Sequence, residues 1–149
     1  MLRTLLLTAA LGLIALPGLA AELIRKPSSH SVADTMDRLE AAVTEAGATI
    51  FARVDHAAGA QSVEMELAQA QVLIFGNPQL GTPAMQADLT AGLDLPLRVL
   101  VMEGADGTEV VYHAPASLAE DFAIPADAEV LAKMTGALEM LTGKAVAEE

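Results

Sequence analysis

The stretch VLIFGNP, residues 72–78, is the part of the sequence that decides the fold. Its first four residues are all apolar, and successive side chains of a strand point to opposite faces of the sheet. Such a strand is covered on both faces, either within the chain or by a partner subunit. Glycine, asparagine and proline then favour a tight turn. The stretch therefore predicts a central strand that ends abruptly at residue 76.

Further strands are predicted on either side of this one. Alternating or apolar patterns place them at residues 21–26, 48–56, 96–103 and 108–113, with a weaker edge strand at 63–67. Within the second of these, Ile50, Ala52 and Val54 are expected to share one face. The sequence GADG at residues 104–107 predicts a hairpin between the last two strands.

Three helices are predicted from their start and stop signals. Ser31 and Asp34 form a capping box for a first helix that ends at Gly47. Thr82, as a hydroxyl cap before Pro83, begins a second helix that ends at Gly92. A third helix spans residues 125–142 and stops at Gly143.

This order of elements predicts an α+β fold with a mixed or antiparallel sheet of about five to six strands and helices packed on one face. A single domain is expected over residues 21–143, with a flexible tail at 144–149. Helices on one face leave the other face of the sheet without cover. The doubly apolar strand therefore predicts a homodimer formed through that face.

Several motifs together resemble the bacterial domain of unknown function 302 family. They are FARVDH at residues 51–56, FGNPQLGT at 75–82, AGLDLPL at 91–97, and Tyr112. The resemblance covers nearly all of the chain after its leader and implies a compact α+β domain that associates in pairs. It implies no reaction. Residues 83–85 depart from the family's usual leucine-methionine pair, and His113 stands where asparagine is frequent.

The first twenty residues have the pattern of a secretory signal peptide. Arg3 gives a positive start, an apolar run extends from Thr4 to Leu16, and Pro17 precedes a short segment of small residues. Cleavage is expected after Ala20, which makes the mature protein periplasmic or secreted. The apolar run is shorter than the ~20 residues that span a bilayer, so no stable membrane insertion is expected after cleavage.

The charge of the chain limits its partners. The formal net charge is −12, and removal of the leader takes away Arg3 and no acid, which changes it to −13. Such a surface repels phosphate backbones, so no nucleic-acid partner is predicted. The absence of cysteine from the sequence excludes disulfides and thiolate chemistry.

Four residues are predicted to border a small-ligand site. His56 ends a predicted strand, Asn77 lies in the turn after residue 76, and Thr82 and Met85 belong to the predicted second helix. Polar groups at strand ends and a helix start are typical of a binding pocket. We therefore predict a small-ligand binding or protein-interaction module. The alternative is a weak hydrolase or isomerase in which His56 is the general base.

Other chemistry is poorly supported by the sequence. The three histidines lack metal-ligand spacing, and Met36 and Met134 lie on apolar helical stripes, so neither a metal site nor a cofactor is predicted. Glu103 and Glu109 flank the hairpin, where solvated acids are commoner than catalytic pairs. No GxSxG motif occurs, and no catalytic residue is predicted.

Overall fold

The structure is a computed structural model that describes residues 22–148. The predicted signal peptide and its cleavage site lie outside the described residues. Five strands form one antiparallel sheet in the order β1-β5-β4-β3-β2. The strands are β1 Leu23–Ser28, β2 Thr49–Asp55, β3 Ala70–Gly76, β4 Leu97–Gly104 and β5 Gly107–His113. The predicted α+β fold with an antiparallel sheet is confirmed.

Five helices accompany the sheet. They are α1 Val32–Glu45, α2 His56–Gln61, α3 Pro78–Ala87, α4 Leu118–Asp121 and α5 Glu129–Val146, with 3₁₀ turns at Leu89–Leu93 and Pro115–Ser117. Within residues 22–148, none of these helices is both long and apolar enough to cross a membrane.

The main core lies between one face of the sheet and the helices α1 and α5. Alternate residues of β3, β4 and β5 project into it and meet the apolar faces of the two helices. Its buried members include Leu73, Phe75, Val99, Val101, Val110, Met36, Leu39, Val43, Leu138 and Leu141. The predicted packing of these two helices on one face is therefore observed.

Polar contacts fasten α1 to its neighbours. Arg53 of β2 binds Asp37 at 2.6 Å and Glu40 at 3.0 Å, both on α1. Arg38 of α1 donates to the carbonyl oxygens of Ala145 and Ala147, the first in α5 and the second immediately after it. A guanidinium at this position satisfies carbonyls that lack intrahelical partners and complements the negative end of the helix dipole.

Several predicted boundaries are wrong for identifiable reasons. β1 continues through Pro27, because an edge strand tolerates a residue without an N–H group. Residues 63–67 are a turn and irregular chain instead of a strand, and Glu64 has φ 58°. α5 begins at residue 129 instead of 125 and continues past Gly143 to Val146, so the first residues of the predicted tail are helical.

The predicted face assignment in β2 is also wrong. The register between β2 and β3 shifts between Ile50 and Ala52, which inserts an extra residue, Phe51, into the strand. Ile50 therefore pairs with Phe75 of the core, whereas Ala52 and Val54 pair with residues that point to the opposite face. A bulge reverses the facing of every residue after it, which the alternating pattern alone did not reveal.

Candidate functional site

A cavity of about 350 Å³ lies where the carboxyl end of β3 meets α3 and α5. Its walls come from the strand ends, from the segment before β4, and from one side of α5. Nearly all of the lining is apolar, and it includes Phe51, Phe75, Leu80, Met85, Leu95, Pro96, Leu97, Met134, Ala137 and Met140. We call this space the Asn77 cavity.

The mouth of the Asn77 cavity is formed by exposed apolar side chains. Phe51 is 59% exposed and Met140 is 50% exposed, although both line the cavity. The β2 bulge places Phe51 here, where its ring lies 3.6 Å from the point that a Cβ atom on Gly76 would occupy. Pro96 lies 3.3 Å from the same point. A larger residue at position 76 would therefore crowd the cavity wall.

Asn77 supplies the polar corner of the cavity and begins α3. Its side-chain oxygen accepts a hydrogen bond from the backbone N–H of Gln79 at 2.9 Å, which makes Asn77 the helix cap. Pro78 follows at the first helical position, where its missing N–H costs nothing. Among residues 22–148, no acceptor is present for the amide nitrogen of Asn77.

The predicted cap at Thr82 is wrong, because α3 starts at Pro78 and its cap is Asn77, five residues before Thr82. Thr82 and Pro83 lie inside the helix. Thr82 nevertheless lines the cavity, as does Met85. Met85 also reaches Gly92, the predicted end of the helix. Its Cε atom lies 3.1 Å from the point that a Cβ atom on Gly92 would occupy.

Three of the four predicted site residues thus border one cavity, and His56 does not. β2 and β3 are antiparallel, with Thr49 opposite Gly76 and Asp55 opposite Gln71. His56 follows the carboxyl end of β2, and this end lies at the opposite end of the sheet from Asn77. The prediction that His56 and Asn77 lie close together is wrong, because successive antiparallel strands end at opposite ends of the sheet.

His56 lies at the exposed start of α2. The carboxylate of Asp55 caps this helix by accepting from the N–H of Ala58 at 2.9 Å, and it also receives Gln71 Nε2 at 3.4 Å. In residues 22–148 the imidazole of His56 makes no hydrogen bond. Asp55 therefore stabilises the helix start and does not orient the imidazole as the acid of a catalytic triad would.

The two hairpin acids considered from the sequence do not face each other across the strands. Glu109 binds Arg25 at 2.7 Å, and Glu103 lies opposite Thr108 and not opposite Glu109. Within the part of the chain that the structure describes, no three histidine or acidic side chains gather as metal ligands would. The apolar lining of the Asn77 cavity favours binding of an apolar molecule over catalysis of a reaction.

Residues 24–141 match the family described as "Domain of unknown function DUF302". The chain belongs to the DUF302 family. A solved DUF302 structure, described as "Crystal structure of uncharacterized conserved protein DUF302 from Bacillus stearothermophilus", superposes with a TM-score of 0.74 at 19% identity. The superposition covers 83% of this chain and 97% of that one. At this identity the likeness shows the fold alone.

Longer relatives of this DUF302 chain carry a specific name. The protein "Fluoride-specific ion channel FluC 1" of Brucella suis biovar 1 (strain 1330) is 40% identical over 117 residues, which are 76% of this chain and 46% of that protein. "Fluoride-specific ion channel FluC 2" of Brucella melitensis biotype 1 (strain ATCC 23456 / CCUG 17765 / NCTC 10094 / 16M) has the same identity over the same length and is covered to 43%. The DUF302 chain spans less than half the length of these relatives.

Replacement of Asn77 tests the helix start that forms the cavity corner. Asn77→Ala is expected to lower the free energy of unfolding by about 1 kcal/mol, because it removes the cap of α3. Thr82→Ala is the matched control and should change it by less than about 0.5 kcal/mol, because Thr82 is an exposed residue within the helix. Urea unfolding followed by circular dichroism measures both. A larger loss for Thr82→Ala than for Asn77→Ala would contradict the observed cap.

Proposed function

We propose that this protein is an exported, homodimeric binding module that takes a small, mainly apolar molecule into the Asn77 cavity. The observation that carries the proposal is a cavity of about 350 Å³ with an almost wholly apolar lining and one polar corner. Small-molecule sites commonly have volumes of ~300–1,000 Å³ and combine an apolar wall with few polar groups.

The lining suits a flexible or planar apolar ligand. Met85, Met134 and Met140 have unbranched thioether side chains that adapt to different shapes, and Phe51 offers an aromatic face at the mouth. Asn77 and Thr82 can each hydrogen-bond one polar group of the ligand. Removal of the ligand's apolar surface from water is expected to supply most of the affinity.

The relatives named as fluoride-specific ion channels are more than twice as long as the matched segment. We therefore assign fluoride conduction to none of this chain's residues. A binding module that also occurs as a segment of longer proteins is consistent with these matches.

Two helical glycines provide a matched test of the cavity. Gly81 lines the cavity and Gly136 does not, and both have open space where a side chain would begin. Gly81→Leu is expected to lower the affinity for the neutral probe 1-aminoanthracene by at least about tenfold, because one bulky side chain fills the binding volume. Gly136→Leu should leave the affinity unchanged. Fluorescence titration measures both variants.

Each result of the titration has a defined meaning. Failure of the wild-type protein to enhance probe fluorescence at millimolar protein would overturn the proposal. Equal affinities in wild type and Gly81→Leu would move the binding site elsewhere. Circular dichroism spectra of the two variants confirm that both are folded.

The proposed dimer uses the face of the sheet opposite α1 and α5. The strand registers place apolar side chains across all five strands of this open face, namely Leu23, Ala52, Val54, Val72, Ile74, Leu100, Met102 and Val111. A solvated antiparallel face normally carries polar residues. The apolar composition therefore supports burial against another surface.

Charge favours a second copy of the chain as the occupant. The two arginines of the open face are neutralised within the chain, Arg25 by Glu109 at 2.7 Å and Arg98 by Asp94 at 2.9 Å. This face is therefore close to neutral although the chain carries a net charge of −12. Two copies can meet here about a two-fold axis without the repulsion that the rest of their surfaces would produce.

A single charge on the edge strand tests the dimer. Val54→Glu is expected to give a monomer by multi-angle light scattering at micromolar concentration. In a two-fold dimer each copy would bury one uncompensated carboxylate in the interface. Val54 is already 39% exposed in the isolated chain, so the monomer should remain folded. Leu89→Glu is the control, because Leu89 is 75% exposed and outside the sheet. A monomeric wild-type protein would rule the dimer out.

The proposal of export rests on the pattern of residues 1–20. A charged start, an apolar run and a small-residue segment are the features that the secretion machinery and signal peptidase recognise. Expression of the full chain in a Gram-negative host should yield periplasmic protein whose amino-terminal sequence begins at Ala21. Recovery of cytoplasmic protein that retains the leader would contradict it.

A further inference from the structure

A second cavity, of about 380 Å³, lies at the other edge of the sheet, between β1, β5 and α5. It shares no lining residue with the Asn77 cavity. Its polar lining residues are Lys26, Tyr112, Thr135 and Glu139, and apolar surface comes mainly from Ile24 and Pro115. We call this space the Lys26 cleft.

Lys26 is a half-buried cation that lines the cleft. Its Nζ atom donates to Thr142 Oγ1 at 2.8 Å and to the backbone oxygen of Glu139 at 3.3 Å. It lies 6.0 Å from the centroid of the Tyr112 ring. Among residues 22–148, no carboxylate lies within 4.0 Å of this ammonium group. The charge is therefore held by neutral oxygens and a ring face, and one of its three N–H donors remains for a ligand.

Glu139 places an opposite charge in the same cleft without pairing with Lys26. Its carboxylate is exposed, and it binds no lysine, arginine or histidine within the described chain. Thr135 lies one helical turn earlier on the same side of α5 and adds a hydroxyl. The cleft thus offers an ammonium group and a carboxylate that form no salt bridge with each other.

Tyr112 contributes a hydroxyl that stays protonated. Burial raises the pKa of Tyr112 above its ordinary value, a hydrogen bond with Thr142 opposes part of that rise, and the charge of Glu139 adds a smaller increase. A neutral phenol can donate to a carboxylate at any physiological pH. This group and Lys26 line the same cavity.

We propose that the Lys26 cleft binds the zwitterionic group of a free apolar α-amino acid. The carboxylate of the ligand meets Lys26 and Tyr112, the ammonium group meets Glu139, and the aliphatic side chain packs on Ile24 and Pro115. Charge selects this class over simpler ions. A plain anion is repelled by Glu139 and by a chain of net charge −12, and a plain cation leaves the remaining N–H donor of Lys26 without an acceptor. A zwitterion matches both groups and adds no net charge.

L-Leucine is the probe, and backbone amide shifts of the ¹⁵N-labelled protein are the measurement. We expect saturable shifts at Ala114, Thr135 and Glu139 at millimolar leucine. Lys26→Gln and Glu139→Gln should each weaken binding by about tenfold or more, because each removes one charge-assisted contact. Lys26→Arg should retain most of the affinity, which separates loss of charge from loss of structure.

The controls lie on the same helix. Glu129 and Lys133 pair with each other at 2.9 Å outside the cleft, so Glu129→Gln and Lys133→Gln should leave leucine affinity unchanged. Two half-analogues of leucine test the need for both charges: 4-methylpentanoate lacks the ammonium group, and 3-methylbutylamine lacks the carboxylate. Both should bind at least about tenfold more weakly than leucine.

Three outcomes would overturn the inference. These are absence of leucine-induced shifts at the cleft amides, binding of 4-methylpentanoate as tight as that of leucine, and full affinity in Glu139→Gln. Gly81→Leu, which fills the Asn77 cavity, should not alter leucine binding. The two proposed sites can therefore fail independently.

Discussion

Antiparallel pairing of β2 with β3 is the constraint on which the rest of this structure depends. It joins the edge strand β2, which follows α1 in the chain, to the interior strand β3 and sets which residues of β2 face α1. It also places the carboxyl end of β2 and the carboxyl end of β3 at opposite ends of the sheet. The separation of His56 from Asn77 follows from that arrangement, because polar residues at strand exits can share a pocket only when their strands end on the same side.

The bulge in β2 shows how one extra residue links packing to function. It turns Arg53 toward the acids of α1 and moves Ala52 and Val54 to the open face. It also places Phe51 at the mouth of the Asn77 cavity. A local irregularity therefore contributes to the ion pairs between β2 and α1, to the proposed dimer surface and to the proposed ligand site. Bulges are common near functional sites for this reason.

α5 separates the two proposed sites and takes part in both. Met134, Ala137 and Met140 line the Asn77 cavity, whereas Thr135 and Glu139 line the Lys26 cleft. Successive residues of a helix point about 100° apart, so one helix can present an apolar surface to one cavity and a polar surface to another. The buried residue Leu138 anchors the helix to the sheet between these two surfaces.

Local patterns in the sequence determined the class of fold, the strand at residues 72–75, the hairpin at 104–107 and the cap at Gly47, because these depend on neighbouring residues alone. The position of that strand, interior but next to the edge strand β2 and not central, was set by the tertiary structure. The same patterns placed Asn77, Thr82 and Met85 near one turn. Only the tertiary structure decided that His56 lies far from them, that Asn77 is the helix cap, and that Lys26 and Glu139 share a cleft although 113 positions separate them. Strand direction, register and bulges are settled by contacts between distant segments, which spacing along a single chain does not encode.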